Sequence, residues 1–208
     1  MPEKAAQKEP GKKPVPSKKP KPQQEVVVQI PLLDLHPFPD HPFQVREDAS
    51  MQETAESVKE YGVLVPALAR PREDGGYELI AGHRRKHACE LAGLATMPVI
   101  VRDIDRDATT IIMVDSNLQR ENILPSERAK AYKMKMEAIK RQGARTDLTS
   151  PKISAKFRSD DEVGQDAGVS GDTIRNYIAL TQLVPELQQM VDEKKIALSP
   201  AYQIAALT

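Results

Sequence analysis

Residues 78–94 read ELIAGHRRKHACELAGL, and the reading of this stretch decides the fold. Tyr77, Glu78, Leu79 and Ile80 form a short β-prone run, Ala81-Gly82 is a turn, and residues 84–91 have the spacing of a helix that ends at Ala92-Gly93. The change from strand to helix falls on Gly82, a residue that accepts a tight turn and lets a ligand approach the backbone. His83, Arg84, Arg85, Lys86 and His87 crowd the first turns of the helix. A helix N-terminus carries positive partial charge and prefers acids there. Two arginines beside free helix N–H groups make sense as a cradle for an anion, phosphate above all. The alternative is that they pair with local carboxylates such as Glu78 or Glu90.

Short elements extend on both sides. A strand is expected at 26–30, ended by Pro31. Pro37, Pro39 and Pro42 make 34–46 a loop. A helix follows at 51–61, with Ser50 as its N-cap and Gly62 at its C-terminal end. A strand at 63–70, entered through Pro66, turns back through Asp74-Gly75-Gly76 onto 77–80. Another strand is expected at 97–101. Beyond residue 107 strand signals vanish: helices are expected at 108–118 and 125–142, the second stopped by Gly143 and followed by a polar basic loop over 143–158. The fold class is α+β, a small mixed sheet followed by an all-α part. The divisions are a basic, Pro/Lys-rich disordered tail at 1–25, a first domain at 26–120 and a helical domain at 121–208.

Composition excludes several classes. The tail holds seven Lys, three Glu and six Pro, too little apolar surface to offset ordering entropy. Over the whole chain Lys+Arg and Asp+Glu are both 30, so only the distribution of charge informs. A single cysteine, Cys89, excludes an internal disulfide and a cysteine zinc site and fits a reducing cytoplasm. No apolar run reaches the ~20 residues of a membrane span.

The C-terminal part carries a helix–turn–helix pattern. Ser159 and three acids open one helix, Gly168 ends it, Ser170 caps a second at 171–183, and Val169, Ile174 and Tyr177 supply the shared core. Gly164, four residues before the turn, suits a close helix approach. In such a unit the start of the second helix reaches base edges in the major groove. Ser170, Thr173, Arg175 and Asn176 are the DNA-binding candidates, Arg suiting guanine and Asn adenine, with Asp172 also facing outward. Upstream, Arg128, Lys130, Lys133, Lys135, Lys140, Arg141 and Arg145 stand against Glu127 and Glu137. That excess suits phosphate contact, with Lys133, Lys140, Arg141 and Arg145 as the leading candidates.

A polar cluster, Asp115-Ser116-Asn117-Leu118-Gln119-Arg120-Glu121-Asn122, lies at the domain junction. With it the sequence resembles a known family. Gly82-His83-Arg84-Arg85 with Ala88 resembles the GERRxRA box of ParB-type partition proteins. The run from Ser116 to Glu121, then Leu124-Pro125-Ser126-Glu127, resembles their ENxQRE and LxPxE boxes. Ser57-Val58, Gly62-Val63 and Pro66 are similar to the SIxxxGxxxP segment, and Thr181-Gln182-Leu183-Val184-Pro185 to the LxxLP after the helix-turn-helix. The resemblance covers 26–208 in order.

It implies a DNA-segregation protein that binds a palindromic centromere-like site and works in the cytoplasm on a nucleoid or plasmid. It implies a first domain that binds CTP phosphates, through Gly62, Gly82, His83, Arg84, Arg85, Asn117, Gln119 and Arg120, to switch a DNA clamp. It also implies a ParA-type ATPase partner and self-association, with no membrane. His83 and Ser116 stand where the family has acids, and one of those acids serves the magnesium–triphosphate. These departures bear on magnesium and on any weak CTPase activity, while phosphate binding by Arg84 and Arg85 is compatible with both. No catalytic residue or metal ligand is assigned. The chain stops at Thr208 before the family's C-terminal dimerisation segment, so a truncated or shortened relative is expected. Two other readings stay open. One is a ParB-like transcription regulator without nucleotide response. The other is a phosphoryl-transfer enzyme or nuclease on the same small domain, with Asp103, Asp105 and Asp107 as acids close in sequence. A sulfiredoxin-like activity needs a reactive Cys ahead of the His-Arg pair, whereas Cys89 falls in the helix body, half-buried by expectation.

Overall fold

The computed structural model describes residues 26–120, 122–147 and 159–207. The tail at 1–25 and the 148–158 part of the basic loop lie outside these residues. Strands β1 (Val27–Pro31), β2 (Leu35–Pro37), β3 (Ala67–Pro71), β4 (Tyr77–Ala81) and β5 (Thr96–Val101) form one mixed sheet in the order β1-β5-β3-β4-β2. β1 runs antiparallel to β5 and β3 antiparallel to β4, while the β3–β5 and β2–β4 pairs are parallel. Helices α1 (Ala49–Tyr61), α2 (His83–Leu91), α3 (Arg106–Leu118) and α4 (Pro125–Asp147) accompany the sheet. They are followed by α5 (Ser159–Ala167), α6 (Gly171–Ala179), α7 (Pro185–Asp192) and α8 (Leu198–Ala205).

The sheet is covered on both faces, and β4 shows why its sequence lacks clean alternation. Successive strand residues point to opposite faces. Leu79 packs with Met51 and Val58 of α1 and Cys89 of α2, while Ile80 packs with Met113 and Val114 of α3 and Ala131 of α4. Both are fully buried, each contributing about 1.5–3 kcal/mol. Helix α4 then carries the chain into the second part. Its Tyr132 packs with Val163 of α5 and Ile174 of α6, and its Ala129 with Leu180, Val191 and Ala201.

The mixed sheet followed by helices agrees with the sequence reading, and several local expectations are corrected. Residues 35–37 are a strand inside the expected loop; Pro37 is tolerated because β2 is an edge strand. The cap of α1 is Asp48, whose carboxylate accepts the Met51 N–H at 2.9 Å, and Ser50 lies inside the helix. The strand expected from residue 63 begins at Ala67, leaving 63–66 as a loop. Helix α4 passes through Gly143 to Asp147, since one helical glycine costs only about 1 kcal/mol. The helix expected to reach 183 ends at Ala179 and tightens into a 3-10 turn over Leu180–Gln182. Cys89 is fully buried, not half-buried.

Candidate anion site and nucleic-acid face

Gly82 takes φ +112°, and a Cβ there would lie 2.8 Å from the Ala67 Cβ and 3.2 Å from Arg85 Nη2. Glycine is needed for the left-handed turn and for the tight passage past β3. This turn aims the start of α2 at a cavity of about 440 Å³. Arg84, Arg120, Arg46, Asp48, Ser50 and Glu127 are among its lining residues.

The carboxylates offered as alternative partners are taken elsewhere. Glu78 is 2.5 Å from Arg70 Nε, and Glu90 is 3.2 Å from Lys86. Arg84 Nη2 donates to Ser50 Oγ at 3.1 Å and is 3.6 Å from Asp48. Asp48 is already the cap of α1, and Glu127 already accepts the N–H groups of Gln44 (3.1 Å) and Leu124 (3.2 Å). Arg46 reaches Glu127 only at 3.9 Å. Burial, then the neighbouring Arg84, lowers the Arg120 guanidinium below its usual range, with Glu127 opposing. Burial and Arg120 do the same to Arg85. Arginines that depress one another form a site of positive potential, which an entering anion relieves.

The expected residues divide. Arg84 and Arg120 line the cavity together, and Gly82 positions α2. Arg85 instead donates to the backbone carbonyls of Val65 (2.5 Å) and Pro66 (2.6 Å), clamping the loop that follows Gly62. Gly62, at φ +72°, ends α1 and does not line the cavity. His83 stands against His41, 4.0 Å between ring centroids. Asn117 is buried and donates to the Met113 carbonyl at 2.8 Å. Gln119 lines a different cavity, with Arg128, Tyr132 and Asp166. Ser116 donates to the Met113 carbonyl at 2.9 Å, and Asp115 is 2.7 Å from Lys135. Neither therefore substitutes for a metal-binding acid in the cradle. Among the described residues no group of three or more His, Cys, Asp or Glu could hold a metal ion. Asp105 caps α3, Asp107 is buried and bonded to Arg141 at 2.7 Å, and Asp103 lines a separate cavity with Asp105, Glu73 and Asp74. Arg46, Asp48 and Glu127 were not foreseen. They come from a proline-rich loop and from a helix start, and no local signal marks that they meet Arg84.

The second face is built on α4, α5 and α6. A Cβ on Gly164 would lie 2.6 Å from the Val169 carbonyl oxygen and 3.1 Å from the Gly171 nitrogen, so the two helices meet where a glycine was expected to let them. Ser170 caps α6, accepting the Thr173 N–H at 3.2 Å, and its hydroxyl lies 2.9 Å from that of Thr173. Arg175 is held by the carboxylates of Asp160 and Asp172. Asn176 is exposed. On α4, Lys140 is exposed and Lys133 half-buried, and neither is in an ion pair among the described residues. Arg141 is tied to Asp107, and the side chain of Arg145 lies outside the described ones. Lys135, counted in the basic stripe, is buried and joins Asp115 of α3 to Asp166 of α5, at 2.7 and 2.9 Å. Burial opposes its charge, and the two bonds outweigh burial, holding the ammonium above its usual value. It pins helices together and cannot touch a phosphate. No helix among the described residues is long and apolar enough to cross a membrane.

Comparison with known proteins identifies the relatives of this arrangement. The family model described as ParB N-terminal domain matches residues 16–118. The chain is 35% identical over 182 residues to the chromosome-partitioning protein Spo0J of Thermus thermophilus, an alignment covering 87% of this chain and 60% of that protein. It spans about half the length of other curated relatives. The C-terminally truncated chromosome-partitioning protein ParB of Caulobacter crescentus, complexed to the centromeric parS site, superposes with a TM-score of 0.56. That structure is 28% identical, with 86% of this chain and 84% of that chain covered. The same Caulobacter protein complexed with CTP-gamma-S is 30% identical over 87% of this chain and 92% of that one, with a TM-score of 0.43.

Proposed function

The chain belongs to the ParB family, and from that premise we propose that it is a DNA-binding partition protein whose first domain binds the phosphates of CTP. The carrying observation is the convergence of Arg84 and Arg120 at the left-handed Gly82 turn, where Glu127 and Asp48 hold backbone N–H groups and Asp48 reaches Arg84 only at 3.6 Å. Arg84 and Arg120 would hold phosphate oxygens, and the free N–H groups at the start of α2 would add donors. Arg85 acts through the 65–66 carbonyls as a positioning residue. CTP is the candidate nucleotide because a relative 30% identical in sequence is complexed with CTP-gamma-S. His83 and Ser116 supply no carboxylate, so magnesium and hydrolysis form no part of the proposal.

The DNA-binding unit is α5–α6 acting as a helix-turn-helix, with Ser170, Thr173, Arg175 and Asn176 toward a palindromic site and Lys133 and Lys140 toward phosphates. The domain division at residue 121 follows from this assignment. Lys135 ties α3, which ends next to Arg120, to α5, and so couples the two parts physically. Nucleotide would act through this junction to switch a self-associating clamp on DNA, in concert with a ParA-type ATPase, in the cytoplasm.

The test titrates CTP, ATP and GTP against the protein with and without palindromic DNA. CTP-selective binding that alters DNA retention, lost in Arg84→Ala, supports the proposal. DNA binding indifferent to every nucleotide favours the plain transcription regulator.

A further inference from the structure

Two imidazoles adjoin the cradle, and phosphate binding by arginine does not account for them. His41 comes from the loop after β2, and His83 opens α2 directly after Gly82. Their rings lie 4.0 Å apart, tilted by 48°. His41 Nδ1 is 2.7 Å from the Phe43 carbonyl oxygen. A carbonyl only accepts, so Nδ1 carries the hydrogen, and Nε2 of the neutral His41 ring is a bare lone pair. That atom and His83 Nε2 are both buried, and neither meets a hydrogen-bond partner among the described residues. Buried polar atoms in that condition are uncommon and costly. Phe43 itself lines the cavity with Arg84 and Arg120, so the pair abuts the cradle.

The charged groups around the rings are Arg120 at the end of α3, Lys86 on α2 and Glu127 on α4. Glu47, Lys86, His87 and Glu90 share a second small cavity with His83. Burial, then His41, Arg120 and Lys86, pushes His83 down to about 3. Burial also lowers His41, aided by Arg120 and opposed by the Phe43 bond and Glu127. Both rings are therefore neutral at pH 7. A polyphosphate on Arg84 and Arg120 reverses the local potential. An opposite charge within about 4–6 Å favours the protonated ring by about 1–3 pKa units, and a triphosphate carries several such charges.

We propose that the His41–His83 pair is the proton acceptor beside this site: a polyphosphate enters together with one proton from solvent, which one of the two buried Nε2 atoms takes up. The protonated ring then sets a positive charge beside the phosphates. The inference rests on the nucleotide reading above. It makes loading stronger as pH falls.

The chain holds four histidines, so their ring C–H signals can be assigned and followed by NMR across pH, with and without saturating CTP. Without nucleotide, His83 stays neutral from about pH 8 down to about pH 5 and His41 titrates below its ordinary value; with CTP, one of the two titrates at a higher pH than it does alone. Calorimetry at pH 6 in two buffers of different ionisation heat gives the second readout. The wild-type protein takes up about half a proton or more per CTP beyond what His83→Asn takes up. CTP bound with neither ring titrating at higher pH than before, or with equal proton uptake in the two proteins, overturns the inference and leaves the nucleotide reading standing. Absence of binding by CTP, ATP and inorganic triphosphate at every pH overturns both.

Discussion

Replacing Gly82 by alanine tests the turn on which the site is built. The φ of +112° is strained for any L side chain, a cost of about 1–3 kcal/mol. The new Cβ also meets the Ala67 Cβ at 2.8 Å and the Ala67 Cα at 3.3 Å. Ala67 is fully buried on β3, the middle strand of the sheet, and cannot withdraw. Overpacking of this kind costs about 1–3 kcal/mol. The expected loss is therefore about 2–6 kcal/mol, read as a drop in the urea midpoint of about 1–3 M for an m-value of about 2 kcal/mol/M. Gly93→Ala is the control. Its φ is +74° and nothing lies within 4 Å of the added carbon, so only the backbone cost of about 1–2 kcal/mol applies. Equal losses in the two variants would refute the close passage of Gly82 over β3.

The Lys135 triad should respond asymmetrically. Its ammonium is buried, whereas the side chains of Asp115 and Asp166 are 45% and 56% exposed. Lys135→Met lets both carboxylates rehydrate and costs about 1 kcal/mol in chemical denaturation. The double change Asp115→Asn with Asp166→Asn strands a buried charge and costs about 3–5 kcal/mol, and the reverse order contradicts the geometry. His83 sets a pH dependence. Its folded pKa lies below the unfolded 6.5, so between 6.5 and about 3 the unfolded state binds more protons and stability falls as pH falls. His83→Asn should flatten that acid limb, and an unchanged limb assigns it to other groups. On α6, Asn176→Ala should lose about 1–3 kcal/mol of discrimination at one base position in a binding-site selection. Lys140→Ala should weaken all sequences alike and flatten the salt dependence, and any change in sequence preference there contradicts a phosphate role.

Much of this arrangement was legible where a local signal had a unique physical reading. Gly82, Gly75 and Gly76 marked turns because few other residues adopt their backbone, and Gly164 marked a helix crossing because no Cβ fits there. The cap of α1 was misplaced because Asp48 and Ser50 are both good caps two residues apart, and only tertiary context selects Asp48. β2 was hidden by prolines that an edge strand tolerates. Charge misled most at Lys135, which reads as one of seven basic residues spread over 128–145 yet is buried, because its two partners lie 20 and 31 residues away. Gln119 shows the same limit: it neighbours Arg120 in sequence, but the end of α3 sends the two side chains to different cavities.

Arg84 and Arg120 act as one anion-binding pair in the proposed site. The direct measurement is the CTP affinity of wild-type protein, Arg120→Ala and Arg72→Ala by calorimetry. Arg72 lies beside Asp74, away from the cradle lining, and serves as the control. A lost charged hydrogen bond is worth about 1.5–3 kcal/mol, so Arg120→Ala should bind about 10- to 100-fold more weakly, with Arg72→Ala unchanged. Equal affinity for CTP in all three proteins would contradict the claim.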